Sequence, residues 1–380
     1  GIVRSGYAQL RHARFVLLRI DHAEQARVWL RGLLDAGGIT DARSPERRQA
    51  ANLALTAAGL ERLGVRPDTL GGFSAEFVEG IVTPHRSRLL GDEGASAPQA
   101  WEWGGPGNDP VHAILLLYAA EEPLLETHLA AHIERLRQSG LHDVWRLPTE
   151  PLPRNGEPRE HFGFRDGIGQ PRIRGFGDDQ PAGNTLAPGE ILFGHPDEAG
   201  ERPAGPTHPG AAELGREGSY LVVRQLRQDV AAFWRFVAER ATDPHDRLRI
   251  AARMVGRWPS GAPLVKAPVR KHPPLHEEEK KLERDNDFGY QSLDPYGFSC
   301  PLGSHIRRAN PRDSVVPDEP ELSLRISNRH RILRRGRIYG PPVDESMDPA
   351  RMIPRILADG GSRLSAVRWA EQHAVDDLLG

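Results

Sequence analysis

Short apolar runs alternate with longer amphipathic stretches over the first 150 residues of the chain. Compact apolar runs predict strands, and apolar residues that recur at helical spacing predict helices. The predicted strands are residues 14–20 (RFVLLRI), 52–56 (NLALT), 113–120 (AILLLYAA) and 143–148 (DVWRLP). The predicted long helices are residues 22–38, which end in a Gly pair, and residues 124–140. This order of elements is that of a split βαβ unit, an antiparallel sheet with both helices on one face.

The second half of the chain repeats this order less clearly. The predicted strands are residues 218–226, 322–326 and 331–340, and the predicted helices are residues 229–240 and 247–258. We therefore expect two sheet-plus-helix units, at 1–150 and 216–380, joined by a Gly/Pro-rich segment at 151–215. A charged stretch at 270–287 is interpreted as a solvated surface excursion.

Composition and charge narrow the class of protein. The chain has 380 residues, of which 38% are hydrophobic and 27% charged, so it can bury a sizeable core. Lys and Arg number 50 against 52 Asp and Glu, and this balance gives no overall field toward nucleic acid or a lipid surface. The apolar runs are too short to predict a membrane span.

The single cysteine, Cys300, rules out an internal disulfide and a cysteine-based zinc site. We interpret it as a small buried residue. Such sparse cysteine usage favours a cytoplasmic location. The chain begins with Gly1 rather than Met, which is compatible with removal of a leader.

Two histidines, His128 and His132, lie four positions apart on the predicted helix at 124–140. This spacing can present two imidazoles to zinc. A metalloprotease helix would carry a glutamate directly after the first histidine, and Leu129 stands there instead. We therefore favour two exposed histidines on a polar helix face over a metal site.

Arginines are concentrated at 325–337 (RISNRHRILRRGR), with six in thirteen residues. With Arg307, Arg308 and Arg312 they could form a phosphate-binding surface, although stacking aromatics are scarce nearby. Strand alternation instead predicts Ile332, Arg334 and Gly336 on one face, apart from Leu333 and Arg335. An arginine that points inward must face an anion or a developing negative charge.

Asp166 lies in the glycine-rich stretch HFGFRDGIGQP (161–171). Gly163, Gly167 and Gly169 allow the backbone to approach a partner closely and leave the carboxyl outside a helix or sheet. The alternative is an Asx-turn residue. The glycine spacing does not match the dinucleotide-binding G-x-G-x-x-G pattern.

His305 lies in SCPLGSHIRRANPRD (299–313), a stretch broken by Pro and Gly. A neutral imidazole is a good iron ligand, and a short kinked segment can present it end-on to a flat cofactor. The neighbouring arginines could neutralise carboxylates on such a cofactor. The alternative is a capping or core histidine.

Three motifs together, GFRDG followed by IGQP, then HIRRANPR, then RILRRGRIYG, resemble the dye-decolorizing peroxidases over residues 7–342. The resemblance implies an α+β fold of two ferredoxin-like units, each an antiparallel sheet with helices on one face, and haem b (iron protoporphyrin IX) as the cofactor. It implies His305 as the axial iron ligand, with Asp166 and Arg334 as catalytic residues on the distal side. The positions implied to line the haem, besides His305 and Arg334, are Gly167, Ile168, Gly169, Asn310, Pro311 and Arg312.

The same resemblance implies a haem peroxidase that oxidises dyes, phenols or similar donors. Its partners would be hydrogen peroxide and a small-molecule reducing substrate, with no nucleic acid or membrane; a homo-oligomer is left open. A haem-binding or iron-releasing protein with weak peroxidase turnover is the alternative, and a non-enzymatic binder of anions or nucleic acid is a third hypothesis. Relatives also supply an acidic partner to the axial histidine, for which Glu371, Asp376 and Asp377 are the candidates here.

Overall fold

The computed structural model describes residues 1–42, 48–151, 158–176, 184–202, 205–206, 213–269 and 281–358. Its strands are β1 (His12–Ile20), β2 (Gln49–Leu55), β3 (Ala113–Ala119), β4 (Leu141–Pro148), β5 (Arg172–Ile173) and β6 (Thr185–Leu186). Its longer helices are α1 (Ala23–Asp35), α6 (Glu122–Arg137), α7 (Val230–Arg240), α8 (Pro244–Val255), α10 (Pro320–Arg329) and α11 (Pro349–Ala358). Its short helices are α2 (Ala57–Arg62), α3 (Pro67–Leu70), α4 (Ala75–Glu79), α5 (Pro84–Leu90) and α9 (His305–Ala309).

The first four strands form one antiparallel sheet in the order β2-β3-β1-β4. Every residue of the inner strand β3 is buried, because both faces of the sheet are covered. Val16 and Leu115 on one face pack with Trp29 of α1 and Leu129 of α6. Both long helices therefore lie on the same side of the sheet, and the split βαβ prediction for this half is confirmed.

The opposite face of this sheet packs against other parts of the chain. Leu17 and Tyr118 on that face form a second cluster with Tyr7 and Leu10 from the N-terminal segment. Val223, from the second half of the chain, packs against the same cluster. The second half is thus attached to the sheet face that the helices leave open.

Two helix predictions in the second half are confirmed by α7 and α8, which pack together in a core with α11. The strand predicted at 322–326 is wrong, because these residues lie within α10. The buried side of α10 consists of Ser323 and Ser327, whose hydroxyls donate to the carbonyls of Val316 and Arg312. Because hydroxyl groups line the buried face of α10, the alternating apolar residues at 322–326 do not indicate a strand.

The strands predicted at 218–226 and 331–340 are also not formed among the described residues, although side-chain exposure alternates over residues 222–226 and 331–337. Ile332, Arg334 and Gly336 are exposed, whereas Leu333 and Arg335 are partly buried, as the alternation predicted. In the 331–340 segment, isolated backbone hydrogen bonds take the place of a strand ladder. Glu150 N donates to Ile338 O, and Arg334 N donates to the side chain of Gln170. The separation of residues 332–336 into an exposed face and a partly buried face was predicted correctly. The pairing of this segment with a neighbouring strand was not.

None of the helices in the described ranges has the combined length and apolar character needed to cross a bilayer. The division of the chain at residues 150 and 215 stays a prediction. The charged stretch at 270–287 lies partly outside the described residues, which resume at 281.

Candidate functional site

Asp166 is carried by a loop that folds around the buried carboxylate of Glu160. Glu160 Oε2 accepts hydrogen bonds from Phe162 N at 2.9 Å and Gln228 Nε2 at 2.8 Å. Glu160 Oε1 accepts one from Phe164 N at 2.9 Å. Burial raises the pKa of Glu160, and the nearby charge of Asp166 raises it further. Sequence reasoning missed Glu160, whose role depends on contacts within a loop that no periodicity marks.

The Asp166 side chain is exposed at the end of this loop. Asp166 N donates to Pro158 O at 2.8 Å, and its Oδ1 accepts from Gly167 N at 2.6 Å. Such a local bond is typical of a turn residue. The second carboxylate oxygen makes no hydrogen bond to a described residue, so the loop fixes the backbone of Asp166 while leaving an acceptor at the surface.

His305 is the first residue of α9, and this short helix is fixed by a buried arginine. Arg307 NH1 donates to the carbonyls of Asp294 at 2.9 Å and Cys300 at 3.0 Å, and it pairs with the buried Asp294 carboxylate at 3.4 Å. Arg307 therefore anchors the helix and does not form part of a phosphate-binding surface. Cys300 is buried as predicted, and its sulfur lies 3.1 Å from the Ser304 hydroxyl.

A glycine sets how closely α9 approaches its neighbour. Helix α8 ends at Gly256 in the left-handed region, with φ of 96°. A Cβ there would lie 2.4 Å from Cγ1 of Ile306, the residue after His305. Only glycine permits this contact, which together with Arg307 fixes the position of His305.

The charges of two other predicted residues act on the imidazole of His305. The His305 side chain is exposed, and the surrounding protein nevertheless lowers its pKa by desolvation. The charge of Arg334 lowers this pKa further, and the charge of Asp166 raises it. The imidazole is therefore neutral at physiological pH, and a shared site for the three side chains stays a prediction.

Arg334 lies against the loop that carries Asp166. A Cβ on Gly169 would lie 3.1 Å from Arg334 NH2, so glycine at this position leaves room for the guanidinium. Arg334 N donates to Gln170 Oε1 at 2.9 Å. The buried Arg331 donates to Asn184 Oδ1 at 3.0 Å and to Gly169 O at 3.3 Å, and burial lowers its pKa to about 10. Sequence reasoning missed Gln170 and Arg331, although strand alternation could have marked Arg331 as an inward residue.

The other predicted cofactor-lining positions have mixed surroundings. Gly167 is exposed with φ of 79°, and Ile168 is partly buried. Arg312 is buried, donates to the carbonyls of Asn286 at 2.8 Å and Phe288 at 3.0 Å, and stacks on the Phe288 ring at 3.8 Å. Pro311 is partly buried, and Asn310 Oδ1 is buried without a partner among the described residues. A haem contact for these residues stays a prediction.

The residues present fit a haem. Neither ring nitrogen of His305 is hydrogen-bonded to a described residue, and a neutral imidazole can donate a lone pair to iron. Gly167 and Gly169 have no side chain that would fill the space beside Asp166 and Arg334. Asp166 supplies an acceptor, and Arg334 supplies a fixed positive charge. The candidate acidic partners of His305, at 371, 376 and 377, lie outside the described residues.

The histidine pair on α6 differs from its prediction. His132 is buried and His128 is partly buried, so the prediction of two exposed histidines is wrong. Their Nε2 atoms lie 3.1 Å apart. Burial lowers the pKa of both imidazoles, that of His132 to about 4. No group of three or more His, Cys, Asp or Glu side chains suited to a metal occurs within the part of the chain that the structure describes.

Comparison with known proteins identifies relatives along most of the chain. No family model matches. A dye-decolorizing peroxidase of Mycena epipterygia is 34% identical over 313 residues, which are 78% of this chain and 54% of that protein. A multifunctional dye peroxidase of Amycolatopsis is 31% identical over 350 residues, which are 89% of this chain and 70% of that protein. The chain thus spans about half the length of several curated relatives that it matches.

Solved structures give the same result for the fold. The structure of an ancestral D-type dye-decolorizing peroxidase matches with a TM-score of 0.67 and 26% identity, covering 90% of this chain and 74% of that one. A dye-decolorizing peroxidase from Auricularia auricula-judae matches with a TM-score of 0.68 and 24% identity, covering 90% and 75%. These matches confirm the predicted α+β, ferredoxin-like fold class. With relatives above 30% identity along most of its length, the chain belongs to the dye-decolorizing peroxidase family.

Proposed function

We propose that this chain is a haem peroxidase that uses hydrogen peroxide to oxidise dyes, phenols or similar donors. The observation that supports the proposal most directly is that the charges of Arg334 and Asp166 act in opposite directions on the pKa of His305, which favours one shared site for the three side chains. Family membership supports the same activity, and the dye class of substrate follows the names of the relatives.

His305 would hold haem b through one ring nitrogen. Because burial keeps the imidazole neutral, the nitrogen offers a lone pair without first losing a proton. When bound, the haem would supply the iron centre at which the peroxide O–O bond breaks and the oxidising equivalents are stored. Gly167 and Gly169 would allow the flat ring to approach the backbone closely.

Asp166 would move the proton. Heterolytic cleavage of the O–O bond of hydrogen peroxide would require that a proton leave one oxygen and arrive on the other. The free carboxylate oxygen of Asp166 can accept that proton and return it, since the loop around Glu160 holds its backbone in place. A carboxylate suits this task in acid, where an imidazole base would already be protonated.

Arg334 would stabilise the negative charge that develops on the departing oxygen. A guanidinium has donors and no acceptor, so Arg334 cannot serve as the base. A positioned cation stabilises developing negative charge without having to reorganise during the reaction. Gln170, which accepts from Arg334 N, and Gly169, which makes room for the guanidinium, position this side chain.

The test is an absorption spectrum of the haem-reconstituted protein, followed by bleaching of an anthraquinone dye with peroxide at acid pH. We expect a Soret band that changes on addition of peroxide, and bleaching that needs both haem and peroxide. A Soret band without bleaching would contradict the peroxidase proposal and favour a haem-binding or iron-releasing protein. Absence of a Soret band would contradict both.

The location and the reactants are also proposals. We propose a cytoplasmic protein on the basis of its single, buried cysteine. Its partners are proposed to be hydrogen peroxide and a small organic reductant. Fractionation of cells that express the native gene, with antibody detection, tests the location.

A further inference from the structure

A buried cation lies next to the glycine-rich loop of the candidate site. Arg331, the second residue after α10, is only 8% exposed. Its NH2 group donates to Asn184 Oδ1 at 3.0 Å and to Gly169 O at 3.3 Å, and both acceptors are neutral. No carboxylate of a described residue pairs with this guanidinium. Since a buried charge without a counter-ion is unfavourable, an anion bound to Arg331 would stabilise the protein.

Positive charge is concentrated around this guanidinium. Burial lowers the pKa of Arg331, and the charges of Arg312 and Arg334 lower it further. Gly169 has two arginines beside it, because its carbonyl accepts from Arg331 and a Cβ on it would lie 3.1 Å from Arg334 NH2. The family resemblance implies that Gly169, Arg312 and Arg334 line the haem. Arg331 therefore lies among the predicted haem-lining positions.

Neighbouring polar side chains hold Arg331 in place. Asn184 Oδ1 accepts from Arg331, while Asn184 Nδ2 donates to Gln170 O at 3.1 Å. Both hydrogen bonds of the Arg331 side chain to described residues come from NH2, so Nε and NH1 donate to none of these residues. A guanidinium has five donors and can bond a carboxylate with two of them. Arg331 is thus oriented by its neighbours and keeps donors for an anion.

The proposed cofactor carries two carboxylates, one on each propionate of haem b. We propose that Arg331 binds one of these propionates, which supplies the counter-charge of the buried guanidinium. This inference deepens the proposed function and rests on its haem binding, not on reaction with peroxide. Asp178 and Asp179 precede Asn184 closely in the sequence and lie outside the described residues. The test therefore distinguishes their carboxylates from a propionate.

The test compares the binding of haem with that of its dimethyl ester, in which both propionates are uncharged. Each porphyrin is titrated into the haem-free full chain, and binding is measured by quenching of tryptophan fluorescence, which does not depend on activity. We expect the unmodified protein to bind the ester about tenfold to a hundredfold more weakly than haem, as for the loss of a hydrogen bond to a charged group.

Arg331→Gln removes the charge and retains an amide donor for Asn184 Oδ1. This variant should bind haem and its ester with nearly equal affinity, because the propionate has lost its cation. Arg331→Lys retains the charge and should keep part of the preference for haem. The matched control, Arg329→Gln, removes an exposed arginine from the end of α10 and should keep the full preference. Urea unfolding of each haem-free variant checks that it is folded.

Four outcomes would overturn the inference, and they separate it from the proposed function. Equal affinity of the unmodified protein for haem and its ester would contradict the inference alone. An undiminished preference in Arg331→Gln would place the propionates elsewhere, and a loss of haem-free stability in Asp178→Asn/Asp179→Asn would then assign the counter-ion to the chain itself. An equal loss of preference in Arg329→Gln would reduce the effect to overall charge. Binding of neither porphyrin would contradict the proposed function as well.

Discussion

The N-terminal sheet and the two extended segments of the second half share one sequence pattern and are held by different forces. In the sheet, β1 pairs along its length with β3 and β4, so backbone groups satisfy one another. In the 331–340 segment, Arg335 and Arg337 donate instead to carbonyls of the N-terminal segment. In the 218–226 segment, Gln225 accepts from Trp103 and Arg224 pairs with the buried Asp92. Alternation in the 331–340 segment therefore predicts which side chains share a face, and it does not predict what the backbone bonds to.

This difference assigns separate tasks to the two regions. The strand ladder of the N-terminal sheet pairs the backbone groups and aligns a continuous core of apolar side chains. The loop and short helix around the candidate site depend strongly on charged side chains, Glu160 for the Asp166 loop and Arg307 for the His305 helix. We therefore expect substitutions in the loop and short helix around the candidate site to abolish function while the N-terminal sheet stays folded.

The largest effect should come from His305→Ala, because it removes the proposed iron ligand. We expect the variant to lose its haem and its Soret band, measured after reconstitution and gel filtration. Because His305 is exposed, the free energy of unfolding without haem should change by no more than about 0.5 kcal/mol. The control His330→Ala alters another exposed histidine and should retain haem. A normal Soret band in His305→Ala would refute the axial assignment.

Arg307→Ala should have the next largest effect, on stability. Removing one partner of a buried ion pair leaves Asp294 uncompensated and costs about 3–5 kcal/mol. We expect a fall of this size in the free energy of unfolding by urea, accompanied by weaker haem retention, since α9 loses its anchor. The neighbouring Arg308 is exposed, so Arg308→Ala should unfold like the unmodified protein. Equal stability of the two variants would contradict the anchoring role.

The sequence predicted the N-terminal sheet well because its information is local. The strand β3 is a continuous apolar run, and α1 and α6 carry apolar residues at helical spacing. The bonds that hold the 331–340 segment are not local: Arg335 and Ile2, which it bonds, are 333 positions apart. His132 was misjudged for a related reason, because a polar residue type on a helix does not reveal that other parts of the chain bury it.

The candidate site was predictable only where a motif marked a residue. Asp166, His305 and Arg334 follow from the family resemblance, and the charges of Asp166 and Arg334 both act on the pKa of His305. Glu160 and Gln170 were missed because each acts by bonding a nearby backbone group, which leaves no periodic signal. Arg307 and Arg312 were grouped with the ligand-binding arginines because sequence alone does not distinguish a buried guanidinium that bonds carbonyls from an exposed one.

Arg334→Leu should slow the chemistry and leave both regions folded. Loss of one charge-stabilising donor typically costs about 10²–10³ in rate, and we expect a decrease of that size in the stopped-flow reaction with peroxide. Haem content and the free energy of unfolding should stay near those of the unmodified protein, since Arg334 is exposed. The control Arg329→Leu removes another exposed arginine and should react at the normal rate, and equal rates in both variants would contradict the assignment.

The smallest effect concerns acid stability, and it lies in the N-terminal region rather than at the site. Burial lowers the pKa of His132 from 6.5 to about 4, so the unfolded chain binds the proton more readily than the folded one. Stability contributed by the neutral imidazole is therefore present above pH 6.5 and is lost as the pH falls toward 4. The loss is at most roughly 3.5 kcal/mol, at about 1.4 kcal/mol per pH unit.

Substituting His132→Leu should flatten this part of the stability curve, measured by urea unfolding at several pH values between 4 and 7. The exposed His22 on the same unit provides the control, and His22→Leu should keep the full slope. If both variants lose stability in acid as the unmodified protein does, His132 is not the group that titrates. If His132→Leu alone resists acid, the stability of the N-terminal unit, which contains His132, would set the lowest pH at which the proposed peroxidase can work. The residues of the candidate site would then not set that limit.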